Sequence, residues 1–215
     1  MIAIIPMKEH SERVPRKNLR DFNGKPLFYW IIDTLTKAST ITGIVVNTDS
    51  LKIGNMVKQY FLGVKILYRP DYLKGDMVTA NALIGWTLTK LKGEHFLYTH
   101  STNPLLKPTT IDRGVTFYLD NLDRYDSLFG VTRHYFRLYT EDGKPLNHNP
   151  RELKRSQDLA PLFEDNSTMY IFSRKKYRIG ERPKLFEVPK AEAIDIDTEE
   201  DWKIAEALMK CGDIF

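Results

Sequence analysis

The chain has 215 residues, 42% of them hydrophobic, and carries 32 Lys and Arg against 28 Asp and Glu, for a net charge of +4. That length suits one globular domain with a sizeable core, and cations spread along the sequence among nearly as many acids argue for a local anion site with no nucleic-acid track. Cys211 is the one cysteine, which excludes an internal disulfide framework or thiolate metal site and points to a reducing cytoplasm, while the apolar runs are too short for a bilayer span or a signal peptide.

In chain order, "IAIIP" at 2–6 reads as a strand that opens onto a charged loop, 8–17. Helical periodicity then covers 26–38, 79–91 and 109–122, and β-branched runs of strand length occupy 43–50, 64–70 and 95–101. Such alternation predicts an α/β fold: a doubly wound, mostly parallel sheet with helices on both faces. From Ser127 to about Tyr177 the pattern changes to two extended segments around an "EDGK" turn, an irregular basic stretch and a further strand. Residues 127–165 are therefore expected to form an inserted β-hairpin arm that covers a site or meets a partner subunit, within a single domain spanning 1–215. Ligands of doubly wound sheets sit beyond the carboxyl ends of the strands, which singles out 8–17, 48–50, 69–70 and 100–104.

The loop after Pro6 offers Lys8, Ser11, Arg13, Arg16 and Lys17, and then Asn18. Ammonium, guanidinium and backbone N–H groups at a strand's carboxyl end suit a phosphate chain; a solvated basic loop is the plainer alternative. Pro15 stiffens this loop, and Asn23-Gly24 marks a turn just before Pro26 and the first helix.

Near the other end, "AIDIDTEEDW" places Asp195 and Asp197 two apart in an extended stretch. Both carboxylates then project to one side, with Ile194 and Ile196 on the other. Two hard oxygen ligands beside a phosphate loop make a Mg²⁺ site, since that ion takes one or two carboxylates and completes its shell with water and phosphates. The alternative is that the acids only decorate the start of the last helix, where Thr198 and Asp201 read as a capping-box variant.

These two stretches carry a resemblance. "IIPMKEHSERVPRKN" is similar to the N-terminal signature of the cytidylyltransferases that activate acidic keto-sugars, the CMP-sialic acid (acylneuraminate) synthetase family, with CMP-Kdo synthetases as a cousin branch. "IDIDTEED" resembles that family's metal-holding segment almost letter for letter. Pro6, Ser11, Pro15, Lys17 and Asn18 match; Lys8 stands where the family usually has Arg, and Glu12 where it often has Lys. The resemblance implies Lys8, Arg13 and Lys17 as catalytic triphosphate ligands, with Asp195 and Asp197 holding catalytic Mg²⁺. Between the ends, "VVNTDS", "RPDYLKGDMVTAN", "YTHSTNPLLKP" and "RSQDLAPLFEDNSTMY" align in order. By the same resemblance, Arg69, Asp76, Thr79 and Asn81 surround the pyrimidine, although Arg69 as an ordinary surface ion pair and Asp49 as a helix cap remain open. His100, Thr102, Asn103, Arg155, Gln157, Glu164 and Asn166 are expected at the sugar. Lys107, Arg133 and Arg155 are the cations offered as a clamp for its carboxylate.

The implied activity is transfer of CMP from CTP to the anomeric hydroxyl of an acidic 2-keto-3-deoxy sugar, by a cytoplasmic homodimer that touches neither nucleic acid nor membrane. A CMP-Kdo-type synthetase, or a nucleotide-binding protein without turnover, are the competing expectations.

Overall fold

The computed structural model describes residues 1–75 and 77–212. Buried β-branched residues form β1 (Ile2–Met7), and a tight hairpin of β2 (Asp21–Phe22) and β3 (Lys25–Pro26) leads into α1 (Leu27–Lys37). The hairpin turns on Asn23 and Gly24, both at positive φ (50° and 83°), the backbone that Asn-Gly adopts at low cost. Then follow β4 (Gly43–Thr48), α2 (Leu51–Tyr60), β5 (Lys65–Tyr68), α3 (Ala80–Thr89), β6 (His95–Tyr98) and α4 (Pro108–Asp120). The chain ends with β7 (Ser127–His134), β8 (Leu162–Ser173), β9 (Pro183–Glu187) and α5 (Glu199–Lys210).

Seven strands make one sheet in the order β5-β4-β1-β6-β8-β7-β9. All neighbours are parallel except β8, which runs antiparallel to both β6 and β7. Alternation along β1 sends Ala3, Ile5 and Met7 into a core with α1, α2 and α4, and Ile4 into a second core with α3. The sheet is therefore covered on both faces, as the periodicity predicts. Among the described residues, no helix is long and apolar enough to cross a membrane.

Two features differ from expectation. The helix α2 is expected from sequence only as what Asp49 would cap: it buries only Ile53, Gly54 and Val57 along a polar stretch, and Ser50, not Asp49, accepts from the Ile53 amide to cap it. The arm is also narrower than 127–165. Its ends are β7 and the start of β8, strands of the sheet, because Leu128, Val131 and Thr132 face buried neighbours. Only 135–161 leaves the sheet, closed by a bridge between Tyr139 and Pro145 and by Asn147, which accepts from the Leu138 amide and donates to the Phe136 carbonyl.

The β7–β8 ladder breaks register between Phe129 and Val131. There Asn166 turns inward, donating to Thr132 Oγ1 at 3.1 Å and accepting from the Thr168 hydroxyl at 2.7 Å. Gly130 is what allows this bulge, since a Cβ on it would lie 2.2 Å from Thr168 Oγ1 and 2.8 Å from Asn166 Oδ1.

Candidate functional site

After β4 and β5 add to one side of β1, the chain crosses to lay β6 on the other. The carboxyl end of β1 is thus the switch point of the sheet, where a crevice opens. The loop from Lys8 to Arg16 fills its rim. Val14, fully buried, pins this loop into a third apolar cluster with Phe22, Leu27, Ile196, Trp202 and Ala205. That cluster is why the two ends of the sequence meet: the same residues that hold the loop also hold the aspartate segment. Arg20 adds a strap, stacking 4.3 Å from the Trp202 ring and pairing with Glu199 at 2.6 Å.

Arg16 then takes the left-handed conformation (φ 55°) and a 3₁₀ turn over Lys17–Leu19 points Lys17 inward. Its Nζ donates to the Ile196 carbonyl at 2.5 Å and to Asp197 Oδ1 at 3.1 Å. Arg13 reaches the same Asp197 oxygen at 2.9 Å. Asn18 bridges the next strand end, donating to the Lys8 carbonyl at 2.8 Å and accepting from the Ser101 hydroxyl at 2.5 Å. The resulting cavity, about 400 Å³, is lined by Pro6, Lys8, His10, Ser11, Glu12, Arg13, Lys17, Asn18, His100, Ser101, Thr102 and Asp197.

Asp195 is largely buried, and burial raises its carboxyl above the usual range. The Thr102 carbonyl accepts from the Ile196 amide at 2.9 Å, fixing the segment to the loop after β6. The Oδ1 atom of Asp195 is buried without a hydrogen-bond partner. An orphaned carboxylate oxygen beside a second carboxylate suits a hard cation, which would supply the missing partner. No group of three or more His, Cys, Asp or Glu converges on a point among the described residues. Asp195 and Asp197 offer two carboxylates, the number that an ion completing its shell with water and phosphates takes.

A second, smaller cavity of about 230 Å³ shares Pro6 and Lys8 with the first and is closed by Arg69, Gly75, Val78, Ala80, Leu83 and Tyr98. Arg69 is no surface ion pair. Its Nε donates to Asn47 Oδ1 at 2.5 Å and its Nη2 to the Met7 and Asn47 carbonyls at 3.2 and 3.1 Å, while Asp49 stands off at 3.9 Å. It ties together the ends of β1 and β4 and presents one face to the cavity. Ser50, rather than Asp49, caps α2. His100 edges against the Tyr98 ring at 5.1 Å, and burial, with the Arg178 charge next, pushes its imidazole down to about 4. It is neutral at physiological pH, a hydrogen-bonding wall with little capacity to take up a proton.

Other residues singled out from sequence lie elsewhere. Thr79 caps α3 by accepting from the Ala82 amide, and Asn81 is exposed on its first turn; neither is among the residues lining these two cavities. Asp76 lies outside the described residues. Asn103 is buried under the loop, donating to the Ile194 carbonyl at 3.4 Å. Arg155 pairs with Asp158 and Glu164 with His134 on exposed surface, Gln157 is exposed beside them, and Asn166 holds the bulge. The three cations offered as a clamp are also absent from the cavity lining: Arg133 pairs with Glu187, Arg155 with Asp158, and Lys107, whose backbone amide donates to Glu192, lines a separate cavity with it. His10 and Ser101, inside the stretches 8–17 and 100–104 but given no role from sequence, also line the cavity.

A family profile described as "Cytidylyltransferase" matches residues 2–211. The chain is 26% identical over 226 residues to a pseudaminic acid cytidylyltransferase of Campylobacter jejuni (97% of this chain, 96% of the relative). It is 27% identical over 227 residues to a CMP-N,N'-diacetyllegionaminic acid synthase of Legionella pneumophila (98% and 96%). An N-acylneuraminate cytidylyltransferase of Streptococcus agalactiae matches at 25% over 215 residues, covering 94% of this chain and 51% of that one. In fold, the chain superposes on a CMP:2-keto-3-deoxy-manno-octonic acid synthetase complexed with CTP, with a TM-score of 0.71 at 15% identity over 98% of each chain. Because the matched span takes in the cationic loop, the crevice and the aspartate segment together, the chain belongs to the cytidylyltransferase family.

Proposed function

We propose that the protein transfers CMP from CTP to the anomeric hydroxyl of an acidic 2-keto-3-deoxy sugar of the nonulosonic class, releasing pyrophosphate. The observation that carries this reading is the meeting of Lys17 and Arg13 with Asp197 at one cavity, with the orphaned Asp195 beside it. The relatives that match along their whole length act, by their names, on pseudaminic and N,N'-diacetyllegionaminic acids, which supports a nonulosonic acid over Kdo. Likeness to the CMP-Kdo enzyme speaks to fold alone.

In this reading the pyrimidine enters the smaller cavity against Arg69 and Tyr98, and the triphosphate lies along Lys8, Ser11, Arg13 and Lys17. The anomeric hydroxyl attacks the α-phosphorus in line; the new P–O bond forms as the bond to the β-phosphate oxygen breaks, and pyrophosphate leaves. Lys8, Arg13 and Lys17 take up charge on the transferring and leaving groups. Asp195 and Asp197 would hold Mg²⁺, which supplies electrostatic stabilisation of phosphate charge when bound. His100, neutral, offers a hydrogen bond at the sugar side and is not assigned the role of base.

The protein is further proposed to work as a cytoplasmic homodimer. Support for the dimer comes from the arm, where Phe136, Tyr139, Leu146 and Leu153 are 41%, 52%, 61% and 66% exposed on one projecting segment, a hydrophobic surface that a second copy would cover. Leu146→Glu with Leu153→Glu should then halve the mass seen by sedimentation; an unchanged mass contradicts it. Support for the compartment is the lone, exposed Cys211, a free thiol. The activity is tested by pyrophosphate release from each nucleoside triphosphate with pseudaminic, N,N'-diacetyllegionaminic and N-acetylneuraminic acids and Kdo, with and without Mg²⁺. CTP- and Mg²⁺-dependent release with a nonulosonic acid is expected. Best use of Kdo would favour the cousin activity, and CTP binding without release would leave a nucleotide-binding protein.

A further inference from the structure

An acidic sugar must meet a cation, and Lys107, Arg133 and Arg155 are not among the residues lining the cavity, Arg133 and Arg155 being paired elsewhere. Strand order tells where that cation belongs. With the base over β1, β4 and β5 and the triphosphate over the β1 loop, the sugar is left the side beyond His100, over β6 and β8. A cation on that side is Arg178, set against Tyr170 of β8, which pairs with Tyr98 at the end of β6. Its guanidinium lies 4.0 Å from the centre of the Tyr170 ring, whose own centre is 6.4 Å from that of His100. Lys17 and Arg178 are the two cations whose charges His100 feels, with Arg178 the stronger. Lys17 lines the cavity together with His100, and Arg178 approaches His100 from the Tyr170 side.

The arginine is held as a built group is held. Its Nη2 donates to the Tyr170 hydroxyl and lies 3.7 Å from Asp165 Oδ2, while Tyr170 in turn donates to Asp165 Oδ1 at 2.7 Å. Its Nε is buried without a partner, and the side chain as a whole is 31% exposed. Two non-glycine residues at positive φ, Ser167 (57°) and Tyr177 (47°), turn Asp165 and Arg178 toward each other from separate stretches of chain. Such backbone persists only where the surroundings fix it. Here they do: Arg174 ties the start of the segment to the Leu88, Leu91 and Gly93 carbonyls, and Asp126 accepts from the Glu181 and Arg182 amides at its end. A basic residue on a mobile surface turn needs no such framing.

We propose that Arg178 reads the carboxylate of the sugar, with Tyr170 and Asp165 setting the direction of its guanidinium. This assignment rests on the proposed activity and names the substrate group that the activity leaves unread. Asp165 is satisfied by Tyr170 and by the Ser167 amide at 3.2 Å, so it acts as an orienting counterion and leaves the arginine free to take a second carboxylate, as a planar fork of donors can.

The test pairs a change in the protein with a change in the substrate. For the best-used acid of the panel and its methyl ester, kcat/KM is measured by pyrophosphate release in wild type, Arg178→Lys and Arg178→Gln, with CTP affinity measured alongside by calorimetry. Wild type is expected to prefer the acid by about tenfold or more, the worth of a charge-assisted hydrogen bond. Arg178→Gln should bring the ratio of acid to ester close to unity with CTP affinity kept, and Arg178→Lys should retain part of the preference. A merely structural arginine would lower acid and ester alike and leave the ratio standing; that result against an active wild type overturns the assignment alone. Absence of pyrophosphate from wild type with every acid overturns the activity and this assignment with it.

Discussion

Lys17 Nζ lies 3.1 Å from Asp197 Oδ1, although 180 positions separate the two in sequence. The ammonium is nearly buried, its side chain 10% exposed, and an unpaired charge in that setting would cost several kcal/mol. Lys17→Met removes the link and leaves the Ile196 carbonyl and Asp197 short of a donor. Pyrophosphate release should fall by at least about 100-fold, and chemical denaturation should show a loss of roughly 1–3 kcal/mol. Full activity in this variant would remove Lys17 from the phosphate site.

Asp195 and Asp197 should respond oppositely in stability. Burial disfavours the ionised form of Asp195, so Asp195→Asn takes an unwelcome charge out of the fold and should leave it as stable at neutral pH or more so. Asp197→Asn takes away the carboxylate shared by Arg13 and Lys17 and should destabilise. Both should lose Mg²⁺-dependent turnover. Denaturant melts at pH 7 with turnover assays check the pair; destabilisation by the Asp195 variant would contradict the burial argument.

Much of this was legible in sequence because strand ends and loop chemistry are local. The alternation of short apolar runs with helical periods gave the sheet, and the rule of carboxyl ends pointed to Lys8, Lys17 and His100. The Thr198 capping box, in which Asp201 answers back to the Thr198 amide, followed from spacing alone. What stayed hidden depends on tertiary pairing. Glu164 and Arg155 find charged partners within their own neighbourhood, so matching a pattern of residue types did not put them at the cavity. Arg178 sits in a run of cations whose framing by Arg174 and Asp126 has no sequence signature. β8 was read as half arm because its first residues, Leu162–Asp165, are not buried even though they pair in the sheet.

Asn166 illustrates the difference between an aligned polar residue and a ligand. Its amide is 5% exposed and spent on Thr132 and Thr168. Asn166→Ala should cost roughly 1–3 kcal/mol by leaving buried hydroxyls unpaired, with kcat/KM of the folded fraction changing much less. Gly130→Ala, which forces a Cβ against the same groups, should cost a similar ~1–3 kcal/mol. A large rise in KM for the sugar without a stability change in Asn166→Ala would make it a ligand after all.

His100 gives stability a pH dependence. Its folded-state pKa of about 4 lies below the ordinary imidazole value of 6.5, so the unfolded chain binds the extra proton between those values. Its contribution is present in full above about pH 6.5 and is lost as pH falls toward about 4, by up to ~3 kcal/mol. His100→Gln should flatten the denaturation free energy across that window; an unchanged slope would mean the ring is not desolvated as described.

The central claim is that the cationic loop and the paired aspartates serve one nucleotide. It is met most directly by pyrophosphate release from CTP with a nonulosonic acid, in wild type and in Lys17→Met and Asp195→Asn, with and without Mg²⁺. The account predicts release by wild type that depends on both CTP and Mg²⁺, and a steep fall in both variants, at least about 100-fold in Lys17→Met. Undiminished release by either variant would contradict it.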